Sequence, residues 1–175
     1  MMETDRLVIR SFQETDIDDF YEYMKLDSTA KYEDFSPYSY EECVASIKRR
    51  AEVDYVFAVV LKQENKLIGD INYSEEDDDT YEIGYDFNEF FWGHGYAAES
   101  CKEIIRHLFE TVGARRVIAQ CNDDNERSIR LLEKLGFRRE GCFLEDVSFK
   151  EDENGNPIYV NSLQYAMLKR EWDCN

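Results

Sequence analysis

Residues 88–100 read NEFFWGHGYAAES. Gly93 and Gly95 flank His94, an aromatic run precedes them, and a helix-forming run follows. The preceding TYEIGYDF reads as a strand, so the local order is strand, glycine loop, helix. A helix N-terminus leaves about four N–H groups without partners and carries a partial positive charge. Glycine lets those groups approach a ligand closely, because no Cβ intervenes. Such a turn suits a phosphate or pyrophosphate; it serves equally as a plain turn. It is not a dinucleotide fingerprint, because no third glycine follows at the required spacing. Nor is it a P-loop, because there is no Gly-Lys-Ser/Thr.

Other residue types that could do chemistry point elsewhere. His94 lies in the loop that would face phosphate and reads as loop surface, and His107 reads as structural or exposed on the following helix. Glu99 falls in the first helical turn, where an acid suits the dipole. Cys121 and Cys142 read as buried apolar residues, and nothing pairs a cysteine with a histidine as a nucleophile. The run SEEDDD is acidic enough for calcium but lacks the glycine and terminal glutamate of an EF-hand loop, so it reads as a solvated loop.

The elements that must position the loop follow from periodicity. RLVIRSF is a first strand, and ETDIDDFYEYMK a helix with Ile17, Phe20, Tyr21 and Met24 on one face. SYEECVASIKRRA opens with Ser39 and carries Glu42 three residues on, a capping box. YVFAVVLKQ, LIGDINY and TYEIGYDF are strands. After the loop, Ala97, Ala98, Cys101, Ile104, Ile105, Leu108, Phe109 and Val112 recur at helical spacing, with Gly113 as C-cap. RRVIAQC is a strand, and ERSIRLLEKL a short helix stopped by Gly136. GFRREGCFLE and IYVNSLQYAML, joined through an Asn154-Gly155 turn, close the chain as antiparallel strands. The reading is one α+β domain over residues 1–175, with about seven strands and about four helices.

Composition bounds the function. The length of 175 residues suits one domain with a substantial core. The N-terminal MMETD lacks the basic and apolar regions of a secretory signal. No uncharged apolar run approaches the roughly 20 residues of a spanning helix, so no membrane association is expected. Five scattered cysteines argue against a disulfide framework and against a metal site, and for a reducing, cytoplasmic setting. The net charge of −18, from 39 acids and 21 bases, argues against nucleic acid as a partner.

These motifs together resemble the GNAT superfamily of acetyl-CoA-dependent N-acetyltransferases, and within it the branch of ribosomal-protein-alanine and spermidine acetyltransferases. The resemblance spans nearly the whole chain. TDRLVIRSF with DIDDF is similar to the branch's opening strand and helix. LIGDINY and YEIGYDF resemble its central strands, FWGHGYAAES its pyrophosphate loop, NDDNERSIRLLEKLGFRREG the second half of its cofactor site, and YAMLKREW its closing strand. The resemblance implies a mixed, mostly antiparallel sheet whose central strands splay at a cofactor cleft. The family loop is often written Gln/Arg-x-x-Gly-x-Gly/Ala, which falls on Trp92, Gly93, His94, Gly95, Tyr96 and Ala97, with Trp92 in place of Gln/Arg. It implies that N–H groups of residues 93–98, Ala98 included, hold the pyrophosphate of CoA. Tyr85 and Phe87 match the strand positions that pair with the cofactor arm, and Asn125 matches an asparagine that contacts it. Arg130 and Lys134 are charge partners for the phosphates or adenosine end, or else a solvated helix face.

Transfer to an amine needs a base, an oxyanion donor and a proton for the thiolate. Glu82 matches a glutamate that serves as base in the branch, and reads equally as a strand-edge carboxylate. The tyrosine that acts as acid in many members falls on Leu132, so that role is empty. Ser128 matches a serine proposed to fill it, or is simply a small residue that lets the cofactor approach. The oxyanion donor would be a backbone N–H near Phe87. Acetyl-CoA is thus the expected cosubstrate, with no metal, and homodimers are common in the family. The acceptor is not identified by sequence. It would be chosen by KLDSTAKYEDFSPYSYEE and SFKEDENGNPIY, both acidic, which favours a cationic amine. The alternatives are a CoA-binding sensor or scaffold without turnover, and an acidic module that mimics nucleic acid.

Overall fold

In the computed structural model, which describes residues 1–174, eight strands form a single sheet. The N-terminal strands are β1 (Met2–Glu3) and β2 (Leu7–Arg10). A 3-10 turn at Glu14–Asp16 leads into α1 (Ile17–Met24), followed by α2 (Asp27–Ala30) and α3 (Tyr40–Ala51). Next come β3 (Val56–Leu61), β4 (Lys66–Glu75) and β5 (Thr80–Phe87). Helix α4 (Tyr96–His107) continues through a π turn at Leu108–Val112 to Gly113. Then follow β6 (Arg116–Asn122), α5 (Glu126–Lys134), β7 (Arg138–Glu151), β8 (Pro157–Leu168) and α6 (Lys169–Trp172).

The structure has one strand and two helices more than the sequence pattern predicts, and the cause is the same for all three. β1 has two residues, and α2 and α6 four each, too short for a period to register. The acidic run is also shorter as a loop than expected, because Ser74 and Glu75 still belong to β4. The predicted box forms at α3: Glu42 N–H donates to Ser39 Oγ, and Ser39 N–H donates to the Glu42 carboxylate at 2.7 Å.

Strand order is β1-β2-β3-β4-β5-β6-β8-β7. Every neighbouring pair is antiparallel except β5 and β6, because α4 carries the chain between them as a crossover. Alternation along β3 sends Ala58 and Val60 to a core with Phe20, Met24, Cys43 and Ile47 of α1 and α3. Phe57, Val59 and Leu61 go to a core with Cys101, Ile104 and Ile105 of α4 and Leu132 of α5. Each of the Val, Leu, Ile, Phe and Met side chains among them, fully buried, contributes about 1.5–3 kcal/mol. The face expected on α1 is turned slightly: Tyr23 is wholly buried, while Ile17 and Tyr21 are partly exposed. The Tyr23 hydroxyl accounts for this, since it reaches Asp70 on β4 at 2.7 Å. Cys121 is buried, but Cys142 is exposed, on the outer strand of a hairpin that reaches into solvent. Among the described residues no helix is long and apolar enough to cross a membrane, and no His, Cys, Asp and Glu cluster could hold a metal.

Candidate active site

The pairing of β5 with β6 stops early. Thr80, Tyr81 and Glu82 face Arg116, Val117 and Ile118, and no residue beyond Glu82 is paired across. From there the strands part, β5 staying with β4 as far as Phe87 and β6 with β8 as far as Asn122. The opening leads to the glycine loop. Gly93 and Gly95 have φ of +80° and +81°, a region that disfavours any side chain. Gly95 is the N-cap of α4 and supplies no side-chain cap, so the first N–H groups of the helix point outward without partners from a cap. The loop is braced from both sides. Trp92 Nε1 donates to the Phe87 carbonyl at 2.9 Å, and Arg6 Nη1 donates to the His94 carbonyl at 3.0 Å. Arg6 is itself fixed by Glu99, whose carboxyl is held below its ordinary value by hydrogen bonds from Thr4 and Arg6. Glu99 therefore anchors the loop as well as complementing the helix dipole.

A cavity of about 460 Å³ lies between β5, this loop, α2 and α5. Tyr85, Phe87, Trp92, Gly93, Gly95, Tyr96, Ala97, Ala98, Asn125, Ser128, Arg130 and Lys134 all border it. Glu82 and His94 are not in its wall. His94 stacks on Tyr96 instead, their ring centres 5.7 Å apart. Glu82 lies where β5 and β6 are still paired, below the opening, and burial raises its carboxyl above the ordinary value with help from Glu76.

Several wall residues have a second tie. Asn125 caps α5, its side chain accepting from Ser128 N–H at 3.2 Å. The Ser128 hydroxyl meets the Tyr85 phenol at 2.6 Å. Arg130 forms an ion pair with Glu126 on the open face of α5. Leu132 is fully buried, pointing into the core.

The wall also holds Arg127 and Asp86, which the sequence reading passes over, and four residues of the segment expected at the acceptor end. Arg127 stacks on the Trp92 ring, 3.8 Å from its centre, and adds a cation beside the loop. Ser28, Thr29, Tyr32 and Glu33 enter from α2 and the turn after it. Asp86 enters from β5. An acid set directly between Tyr85 and Phe87, the two strand positions expected at the cofactor arm, is the signal that could have marked it. The two segments expected at the acceptor end do meet: Lys150 Nζ, on the β7–β8 hairpin, donates to the Lys31 carbonyl at 3.2 Å. The cavity thus joins uncapped helix N–H groups and three cations, Arg127, Arg130 and Lys134, with the carboxylates Glu33 and Asp86. The first set fits a polyphosphate; the second fits a cation.

Residues 6–138 match the acetyltransferase (GNAT) domain family. The uncharacterised N-acetyltransferase YnaD of Bacillus subtilis strain 168 is 34% identical, over 97% of this chain and 98% of its own. A GNAT-family acetyltransferase from Bacillus anthracis, solved as a crystal structure, superposes with a TM-score of 0.87 at 30% identity, over 97% of this chain and 98% of that one. The spermidine N-acetyltransferase of Vibrio cholerae, solved in complex with CoA and spermine, shares the fold with a TM-score of 0.79 at 18% identity, over 97% of this chain and 99% of that one.

Proposed function

The chain belongs to the GNAT family of acetyl-CoA-dependent N-acetyltransferases, and on that footing we propose that it passes the acetyl group directly to an amine held in the same cavity. The observation that carries this reading is the cavity itself, which borders the glycine loop with its uncapped helix N–H groups and a pair of carboxylates at once. A direct transfer requires both reactants in one space. The Vibrio cholerae relative, solved with CoA and a polyamine together, is consistent with such a pairing.

Acetyl-CoA supplies an activated thioester. The N–H groups of residues 93–98, with Arg127, Arg130 and Lys134, would hold its phosphates. Residues 84–87 of β5, unpaired toward β6, offer backbone groups to the cofactor arm, and an N–H near Phe87 would face the developing oxyanion. Glu82 would take the proton of the amine. It stands back from the cavity wall, so the proton reaches it through a water, and its raised proton affinity suits the task. Leu132 has no proton to give to the departing thiolate, whereas Tyr85 and Ser128 border the cavity and carry O–H groups.

The deciding measurement is thiol release from acetyl-CoA with a panel of amines. Release that depends on the amine supports direct transfer. CoA binding without release from any amine would leave the sensor reading instead.

A further inference from the structure

The two carboxylates in the cavity wall take no part in the proton transfers just described. Asp86 on β5 lies directly opposite Asp70 on β4, an arrangement in which like charges oppose pairing. The fold answers only half of that conflict. Arg50 Nη1 of α3 meets one Asp70 oxygen at 2.7 Å, and the Tyr23 hydroxyl of α1 donates to the other at 2.7 Å. Asp86 receives no hydrogen bond or ion pair on its carboxylate among the described residues, and neither does Glu33. Desolvation raises both: Asp86 well above the ordinary carboxylate range, with Asp70 and Glu33 adding to it, and Glu33 to about 7, with Asp34 and Asp70 adding. A third polar group in the same wall is unsatisfied, since Ser28 Oγ is buried without a hydrogen-bond partner. Asp86 and Glu33 are partly exposed to the cavity, while the buried Ser28 hydroxyl costs stability unless something meets it.

We infer that Asp86 and Glu33, with the Ser28 hydroxyl, form a subsite for a second positive charge on the acceptor, separate from the amine that is acetylated. The attacking nitrogen must be neutral. A bound ammonium favours the ionised form of both carboxyls, and they in turn favour the protonated form of the nitrogen they hold, so that nitrogen is kept from attacking. An ammonium has three N–H donors, and this wall offers three acceptors without protein partners. The acceptor class is therefore a diamine, or an amine carrying another cationic group. The inference rests on the acetyltransferase reading only for what happens at the other, reacting end.

The test is calorimetric titration of the CoA-loaded protein with 1,4-diaminobutane and with butylamine. The native protein is expected to bind the diamine at least about tenfold more tightly, in line with a close charge pair. Asp86→Asn and Glu33→Gln should each erase that preference with CoA affinity unchanged. Asp86→Asn removes the carboxyl opposite Asp70 while keeping its size, and Glu33→Gln provides an independent variant outside the sheet. Equal affinity for the two amines, or a preference that survives both substitutions, overturns the subsite. Thiol release is scored separately. Its absence with every amine would remove the transferase reading, while the binding comparison would still decide the subsite.

Discussion

The Tyr85 phenol and the Ser128 hydroxyl stand 2.6 Å apart, linking β5 to α5 beside the opening in the sheet. Burial pushes the phenol far above its usual value, so Tyr85 is a protonated O–H at the cavity wall, with the Ser128 hydroxyl as its hydrogen-bond partner. Tyr85→Phe is expected to lower kcat, and Ser128→Ala to lower it less. CoA thiolate leaves readily, so the loss should not exceed about 10²-fold, the lower end of general acid effects. Steady-state rates and CoA titration on both variants check this. Unchanged kcat in both would reduce the pair to a packing contact.

Gly95→Val separates backbone strain from ligand contact. A Cβ at Gly95 would meet only Arg6 Nη2, at 3.7 Å, so the protein itself has room. The left-handed backbone is the obstacle, at about 1–2 kcal/mol, or a fall in Tm of about 2–4 °C per kcal/mol. The variant should remain folded by circular dichroism and lose CoA binding. CoA affinity equal to that of the native protein would rule out the loop amides as the phosphate site.

Glu82→Gln tests the base. Its kcat should drop by about 10²–10⁴-fold with CoA affinity retained. The native acidic limb of kcat/KM should lie above that of an ordinary glutamate, because burial raises this carboxyl, and the variant should lack it. A variant with the native rate and pH profile would move the proton to another acceptor.

Glu33 makes a prediction about stability. Its folded value of about 7 exceeds the ordinary 4.5, through burial, Asp34 and Asp70. The native state therefore holds a proton that the unfolded chain has lost between those values. Stability should fall as pH rises through about 4.5–7. Asp86 acts in the same direction, with Asp70 beside it and Arg50 opposing. Glu33→Gln should flatten this decline in thermal melts from pH 5 to 8, roughly the range bracketing that titration. An identical slope in the variant would mean that Glu33 ionises normally.

What is legible in the sequence is whatever a local pattern encodes. The glycine loop, the Ser39 capping box, the Gly113 and Gly136 stops and the long strands all depend on neighbours within a few residues. The resemblance points to the segment that carries Ser28 and Glu33, but it has no period, and which of its residues reach the cavity is decided by the packing of α2 and the turn after it. Asp86 becomes meaningful through its register with Asp70, which sequence spacing does not supply. Glu82 sits on the expected strand, yet the point where β5 leaves β6 decides which of its residues border the cavity. Cys142 reads as buried by residue type alone, and it is exposed because its strand forms the sheet's outer edge.

Only three residue pairs join β5 to β6. In folding terms, the sheet is two blocks, β1 to β5 and β6 with β8 and β7, sharing a narrow seam. A ligand lying along the opening would act as a missing strand and raise the cooperativity between them. Without it, each block can open at its own free energy. Hydrogen exchange should find the amides of residues 84–87 and 119–122 less protected than those of β3 and β4. Adding CoA should slow their exchange together, on both sides of the gap, even where only one side touches the ligand.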